Sequence, residues 1–569
     1  MLRLKWFKIF TIFMIISMAL AACAPAVSQP IATPPAAQEA APTEATAAEA
    51  PAATEAPAAV EAPAATEAPA AVPAAEKVLV MAVEGSAPTF DPLGASDSRV
   101  DTPSINMYNA LLQSKPGTTE IEPDLATEYT AGEDGLSYTF KLRQGVKFHD
   151  GSEVTADDVV YTVERMMALK KGYYSSLVPV TGAEAVDDYT VKINTAAPFP
   201  GLPDALARLY IVNADVIKQH IEANDYGEKW LQDHETGSGP YMLESFEPEQ
   251  QFTMVKFPDY YKGWDGSHAD KVIFRVFKEE ATRRLALENK EVDWITVSSA
   301  DTYKAIEGME GIMTYSDPTL NQLYFAFFTR NEYLKDVRIR KALSLAYDYK
   351  GHVELARQGF ANIARGPLPP AIPCFDESMT ESVMDLEQAK VLMAEAGYPD
   401  GGFELNMAYQ GTADEEVKAF QIMADGAAQL GITIKPMAVE WPAKVDAYSK
   451  EETAPAVGTV WMYPSYPDAN EFLYLLGSSQ VFGQYNFAWF ENARFDELVL
   501  AGQSELDPVK RCEIYKEAQK IWMDETPYAN VVVGQALAAS RDYVEGYIWT
   551  PSHSFAQNVY VMSVDAKYQ

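Results

Sequence analysis

The chain has 569 residues, 81 of them acidic and 45 basic, for a formal net charge of −36; so acidic a surface argues against nucleic-acid partners and against adhesion to anionic lipid. Its length and its 48% hydrophobic content support a large core and more than one lobe. Three cysteines exclude a disulfide framework. Cys374 and Cys512 are left either free or joined to each other, and the free state is the expectation.

At the N-terminus, Arg3, Lys5 and Lys8 precede an apolar run over 9–20 that is short for a membrane span but right for a signal-peptide core. Leu20-Ala21-Ala22-Cys23 sets small residues directly before a cysteine, the order of a lipobox. A signal peptide over 1–22 with lipidation of Cys23 is therefore expected; the alternative is a plain secretory signal cleaved after Ala22. From there to residue 76 the chain is almost entirely Ala, Pro, Glu, Thr and Val, and EAPAATEAPAAV occurs twice in tandem, at 49–60 and 61–72. With no aromatic and hardly any large apolar residue, the tract cannot repay the entropy of ordering, and 23–76 is assigned as a tether.

Beyond the tether, VLVMAV at 78–83 is a compact apolar run, a first strand, entering EGSAPTFDP, where Gly85, Pro88 and Pro92 break regular structure. A short helix is predicted over 105–112. In 137–165, Tyr138, Phe140 and Leu142 alternate with polar residues as in a strand with one buried face, Val146 and Phe148 resume the alternation, and Asp150-Gly151 supplies a tight turn. Thr155, with Asp158 three residues on, is a helix N-cap; Val159, Val160, Val163 and Met167 then fall at helical spacing. Tyr189, Val191 and Ile193 alternate as a further strand. Gly237 and Gly239, in GSGPYMLESF, match neither glycine-rich phosphate motif, which leaves a close approach of backbone to backbone. Strand, helix and strand follow over 271–295. Ile339, Ala342, Leu343 and Ala346 mark an amphipathic helix. Asp385 with Gln388 caps another, whose inner face is Ala389, Leu392, Met393 and Ala396 and whose stop is Gly397. FELNMAY and GITIKPMAVEW supply strands around a helix at 415–430. Strand–helix–strand units at this spacing mean an α/β fold.

The run DGLSYTFKLRQGVKFHDGSEVTADDV closely resembles the most recognisable segment of the oligopeptide/dipeptide class (family 5) of extracytoplasmic solute-binding proteins that serve ABC transporters, and the likeness extends over nearly all of 77–569. The resemblance implies an α/β, periplasmic-binding-protein-like fold with two large lobes, a hinge and a small third domain. Lobe I comprises 77–112, 201–283 and 521–569, the small domain 113–200, and lobe III 284–520. It further implies a monomer, lipid-anchored outside the cytoplasm, that closes on a small-molecule ligand, a peptide, and delivers it to permease subunits driven by cytoplasmic ATPases. No cofactor, metal or nucleic acid is involved.

The same resemblance places the ligand contacts. The end of the first strand reaches the cleft, which makes Glu84 and Gly85 candidates. The stretch VGTVWMYPSYPDANEFLYLL matches the family's W-x-x-DYPD-x-x-x-F strand end and contributes Trp461, Met462, Tyr463, Ser465, Tyr466 and Asp468. Peptide-binding relatives carry there an aspartate that pairs with the ligand's α-ammonium. This chain has Ser465 at that position, leaving Asp468 as a substitute or a ligand without a free amine. Trp441, Tyr485 and Asn486 complete the set. The aromatic rings among these residues suit sugar faces as well as peptide side chains, so an oligosaccharide is the alternative ligand.

An enzyme is not expected. The six histidines, His149, His220, His234, His268, His352 and His553, form neither an HExxH pair nor a close cluster, and there is no GxSxG elbow. A surface glycoside hydrolase or an adhesin is the alternative from another class. A nickel or haem binder of the same family is disfavoured by the lack of a histidine-rich cleft segment.

Overall fold

A computed structural model describes residues 76–94, 98–553 and 556–564. The expected signal peptide, Cys23 and nearly all of the expected tether lie outside them. The segment with the clearest sequence pattern forms a separate four-stranded antiparallel sheet in the order Ala126–Ala131, Ser137–Leu142, Thr190–Thr195, Val180–Asp187. Phe140, Val191 and Ile193 face the helix Ala156–Leu169, whose Val159 and Val163 are fully buried. Each such side chain contributes about 1.5–3 kcal/mol. The helix starts as its sequence dictates: the Asp158 carboxylate accepts from the Thr155 amide at 2.9 Å and from its hydroxyl at 3.0 Å. Gly151 takes φ 90°, as the predicted turn requires.

The rest is built on one large sheet. In spatial order it runs Ile432–Ala438, Phe403–Tyr409, Val457–Met462, Ile312–Phe327, Tyr528–Arg541, Trp294–Val297, Val78–Val83, Lys271–Val276, Gln251–Lys256, Tyr241–Glu247, with Ala361–Ile363 attached to Tyr528–Arg541. Two long antiparallel strands, Ile312–Phe327 and Tyr528–Arg541, join its halves. Residues 312–318 lie opposite 535–541 on the side of Val78–Val83, and 322–326 lie opposite 528–533 on the side of Val457–Met462. The ladder breaks between Pro318 and Gln322, where the Thr319 hydroxyl donates to the Gly534 carbonyl at 2.7 Å. Trp294–Val297 stays beside Val78–Val83, so the chain crosses between halves within Ile312–Phe327.

Helices cover this sheet as their periodicity predicts. Val337–Ala346 buries Ile339, Ala342, Leu343 and Ala346 and is capped by Asp336, while Leu386–Glu395 is capped by Asp385 and buries Ala389 and Met393. Two expectations are corrected. The helix predicted over 105–112 is Ser98–Met107, and the chain beyond it bridges Ala110 to Tyr210 and then forms the strand Leu112–Ser114. The Met107 carbonyl is taken by the Gly239 amide at 2.9 Å, which ends the helix there. That approach needs the two glycines, since a Cβ on Gly237 would sit 1.7 Å from the Met107 oxygen and one on Gly239 2.5 Å from its carbon. The second concerns Cys374 and Cys512, expected free: they form a disulfide with Cα atoms 4.6 Å apart. Their separation of 138 residues in sequence hid the pairing, which arises when the helix Pro508–Glu525 packs beside the 374 loop.

Candidate functional site

Where the two halves of the sheet meet, a cavity of about 600 Å³ opens above the break in the long strands, with Thr319, Asn321, Gly534 and Gln535 as its floor. One wall comes from the end of the first strand, Val83 to Gly85, and from the turn 296–301. The other comes from the turn 410–416, Arg357, Trp461 and Tyr463. At its edge the two walls touch: the Gln358 amide donates to the Asp301 carboxylate, and the Tyr303 and Phe360 rings lie 4.6 Å apart.

Trp461 reaches the cavity because alternate residues of Val457–Met462 face opposite ways. Val460 and Met462 are buried in the core on the other side of the sheet, and Trp461 emerges half-buried. The Tyr463 ring, 44% exposed, stacks beside it at 6.1 Å between centroids. The Arg357 guanidinium lies 5.3 Å from the Trp461 ring centre, with its Nε 3.2 Å from the Glu415 carboxylate in an ion-pair contact that lacks hydrogen-bond alignment. Neither terminal nitrogen of Arg357 has a partner among the described residues. Gly534 makes this possible, because a Cβ there would come 2.2 Å from Arg357 Nη2. Glu415 also meets His352 Nε2 at 3.1 Å, and Tyr347 holds the other imidazole nitrogen at 2.6 Å. Below it, the buried Glu416 accepts from the Gln410 amide, Lys444 Nζ and the Thr459 hydroxyl, and burial pushes the Lys444 ammonium below its ordinary pKa against the pull of Glu416. Trp549 lines the cavity at 8% exposure, and its indole N–H has no acceptor among the described residues. Among the described residues no cluster of three or more His, Cys, Asp or Glu could hold a metal ion.

Of the residues expected at the site, Glu84, Gly85, Trp461 and Tyr463 line the cavity, and the other seven do not. Met462 points into the core, for the alternation given above. Trp441 opens the helix Trp441–Tyr448 with its ring 6.0 Å from Phe487, and Tyr485 is 40% exposed away from the cavity. The fully buried Asn486 side chain donates to the carbonyls of Gly477, Ser478 and Phe490, which makes it a loop brace. Ser465, Tyr466 and Asp468 sit at a junction with the four-stranded sheet, whose core takes in Tyr466. The Ser465 amide donates to Glu471 at 3.0 Å and its carbonyl accepts from Arg208 at 3.3 Å; Tyr466 packs edge-on against Phe199; Asp468 caps the helix Ala469–Gly477 and pairs with Arg511 at 2.8 Å. Arg357, the turns 296–301 and 410–416, and Trp549 were missed, since no motif marks them. Gly534 carried a legible signal, a lone glycine inside the apolar run VVVGQALAA, which marks a close approach to a strand.

The junction has its own electrostatics. Burial, reinforced by the charge of Asp468 and opposed by the Ser465 amide, pushes the Glu471 carboxyl up from 4.5 to about 7. The folded protein therefore keeps a proton there that the unfolded chain releases, and stability rises as pH falls from about 7 through 4.5. Glu471→Gln, which keeps the shape, is expected to flatten that slope by one proton; urea midpoints at about pH 5 and about pH 8 measure it. An unchanged slope would assign the proton elsewhere.

A family model described as "Bacterial extracellular solute-binding proteins, family 5 Middle" matches residues 120–484. The chain is 30% identical over 509 residues to heme-binding protein A of Haemophilus influenzae, covering 84% of this chain and 91% of that one. It is 28% identical to the glutathione-binding protein GsiB of Salmonella typhi, covering 85% of this chain and 94% of that one. Among solved structures, DppA of Helicobacter pylori, an ABC transporter-associated periplasmic binding protein in complex with the peptide STSA, superposes with a TM-score of 0.72 at 26% identity over 86% of this chain and 98% of that one.

Proposed function

We propose, from the premise that this chain belongs to the family 5 bacterial extracellular solute-binding proteins, that it captures short peptides in the cavity between its sheet halves and passes them to an ABC permease. The family is a non-enzymatic transport family that acts outside the cytoplasm. In this reading Cys23 carries the lipid and 24–76 is the tether that leaves the binding domain free to reach the permease. The size of the cavity supports the reading, because about 600 Å³ falls within the range of small-ligand sites, about 300–1,000 Å³.

The observation that carries the peptide assignment is Arg357. A guanidinium stacked on Trp461 with both terminal nitrogens unpaired among the described residues is shaped for a planar carboxylate. The Trp549 N–H, buried without an acceptor among the described residues, suits a peptide carbonyl. Titration calorimetry of the full chain with Ala-Ala-Ala and with its C-terminal amide tests the assignment. Arg357→Ala is expected to weaken the free acid by about 10- to 100-fold, from a charged hydrogen bond of about 1.5–3 kcal/mol, and to leave the amide nearly unaffected. Equal losses for both peptides would remove Arg357 from the carboxylate role.

A second reading, an oligosaccharide ligand, is favoured by the Trp461–Tyr463 ring pair, since offset aromatic faces cover sugar rings. Binding indifferent to ionic strength and to Arg357→Ala, yet lost in Trp461→Ala, would decide for it.

A further inference from the structure

A peptide with a free amine brings a cation into the cavity, and a desolvated cation requires an opposite charge beside it. The resemblance to the family puts the acid at the position of Ser465. It lies outside the cavity, with its amide on Glu471 and its carbonyl on Arg208. Asp468, the nearest carboxylate in sequence, is 4% exposed and committed to Arg511 and to the Asn470 amide. The counter-charge must come from another element.

Among the described residues six carboxylates line the cavity, and five of them are engaged by the protein. Glu280 accepts from the amides of Ser298 and Ser299, Asp301 from Gln358, and Glu416 from Lys444, while Asp414 pairs with Lys418 and Glu415 with Arg357 and His352. The sixth, Glu84, is exposed to the cavity and has no hydrogen bond or ion pair among the described residues, Arg99 beside Gly85 included. Its support is rigid. It directly follows Val83, the last residue of a strand paired on both sides, whose carbonyl accepts from the Phe277 amide at 2.8 Å.

We infer that Glu84 takes the ammonium of the ligand, opposite the Arg357 that takes its carboxylate, so that charge selectivity in this chain resides at the end of the first strand and not at position 465. The inference rests on the peptide reading above and assigns its specificity-determining acid. The two groups come from opposite halves of the sheet, so a zwitterion that engages both also holds the halves together.

Calorimetric titration of the full chain with Ala-Ala-Ala and N-acetyl-Ala-Ala-Ala, in the wild type, Glu84→Gln and Glu84→Asp, tests it. The wild type is expected to bind the free amine about 10- to 100-fold more tightly than the acetylated peptide. Glu84→Gln should bring the free amine down to the acetylated level while the acetylated affinity stays within about two-fold, and Glu84→Asp should restore part of the preference. A wild type that does not distinguish the two peptides, or a Glu84→Gln variant that keeps the preference or weakens both equally, overturns the inference and leaves peptide binding standing. A wild type that binds neither peptide overturns both readings, and does so before any variant is made.

Discussion

Arg165→Ala is expected to lower the unfolding free energy by about 3–5 kcal/mol, the loss typical of a buried ion pair deprived of one partner. The Arg165 and Asp91 side chains are 0% and 1% exposed, and the guanidinium meets the carboxylate with two parallel bonds of 2.8 and 2.5 Å. Its Nε donates to the Tyr226 carbonyl at 2.9 Å, while Asp91 also accepts from the Leu93 amide. Removing the cation therefore strands a desolvated carboxylate and a backbone carbonyl together. The pair joins the helix Ala156–Leu169, which packs on the four-stranded sheet, to the loop that follows the first strand, so the same substitution is expected to loosen the wall that carries Glu84. A double substitution, Arg165→Met with Asp91→Leu, removes both charges at similar volume and is expected to recover most of the loss. Urea unfolding of the three proteins measures this. A midpoint for Arg165→Ala that coincides with the wild type would show that the pair contributes no net stability.

Replacing Cys374 and Cys512 together by serine is expected to cost about 2–5 kcal/mol, because the cross-link constrains a long stretch of the unfolded chain. The bridge spans 138 residues and ties the loop at 374 to the helix Pro508–Glu525. It is reinforced locally: the fully buried Gln519 donates to the Cys374 carbonyl at 2.8 Å and accepts from the Asp376 amide at 3.2 Å. A disulfide there fits the oxidising compartment in which the family acts. Thermal unfolding with and without dithiothreitol supplies the check. The reductant should lower the midpoint of the wild type toward that of the double variant and leave the variant unmoved. Equal sensitivity in both would place the effect of the reductant elsewhere.

Most of the fold was legible in the sequence because its signals are local. The alternation of Tyr138, Phe140 and Leu142, the Thr155–Asp158 cap, and the spacing of Ile339, Ala342, Leu343 and Ala346 each depend on neighbours within a few residues, and each appears in the structure as read. Even the close approach at Gly237 and Gly239 could be inferred, since only glycine tolerates it. The end of the helix at Met107 could not, because the group that terminates it, the Gly239 amide, is more than a hundred residues away in the chain.

By itself, then, the sequence determined the family, the α/β class, most of the strands and helices, and four cavity residues, Glu84, Gly85, Trp461 and Tyr463. The tertiary structure alone decided which polar and charged groups were already engaged. Asp468, Ser465 and Asn486 look available in a linear reading, yet Arg511, Glu471 and the carbonyls around Phe490 have claimed them, while Arg357, unmarked by any motif, and Glu84 keep groups without a partner among the described residues. The physical reason is that a strand's alternation fixes the face a side chain takes, but whether its charge is neutralised depends on partners brought from distant segments, and burial makes that partnership decisive.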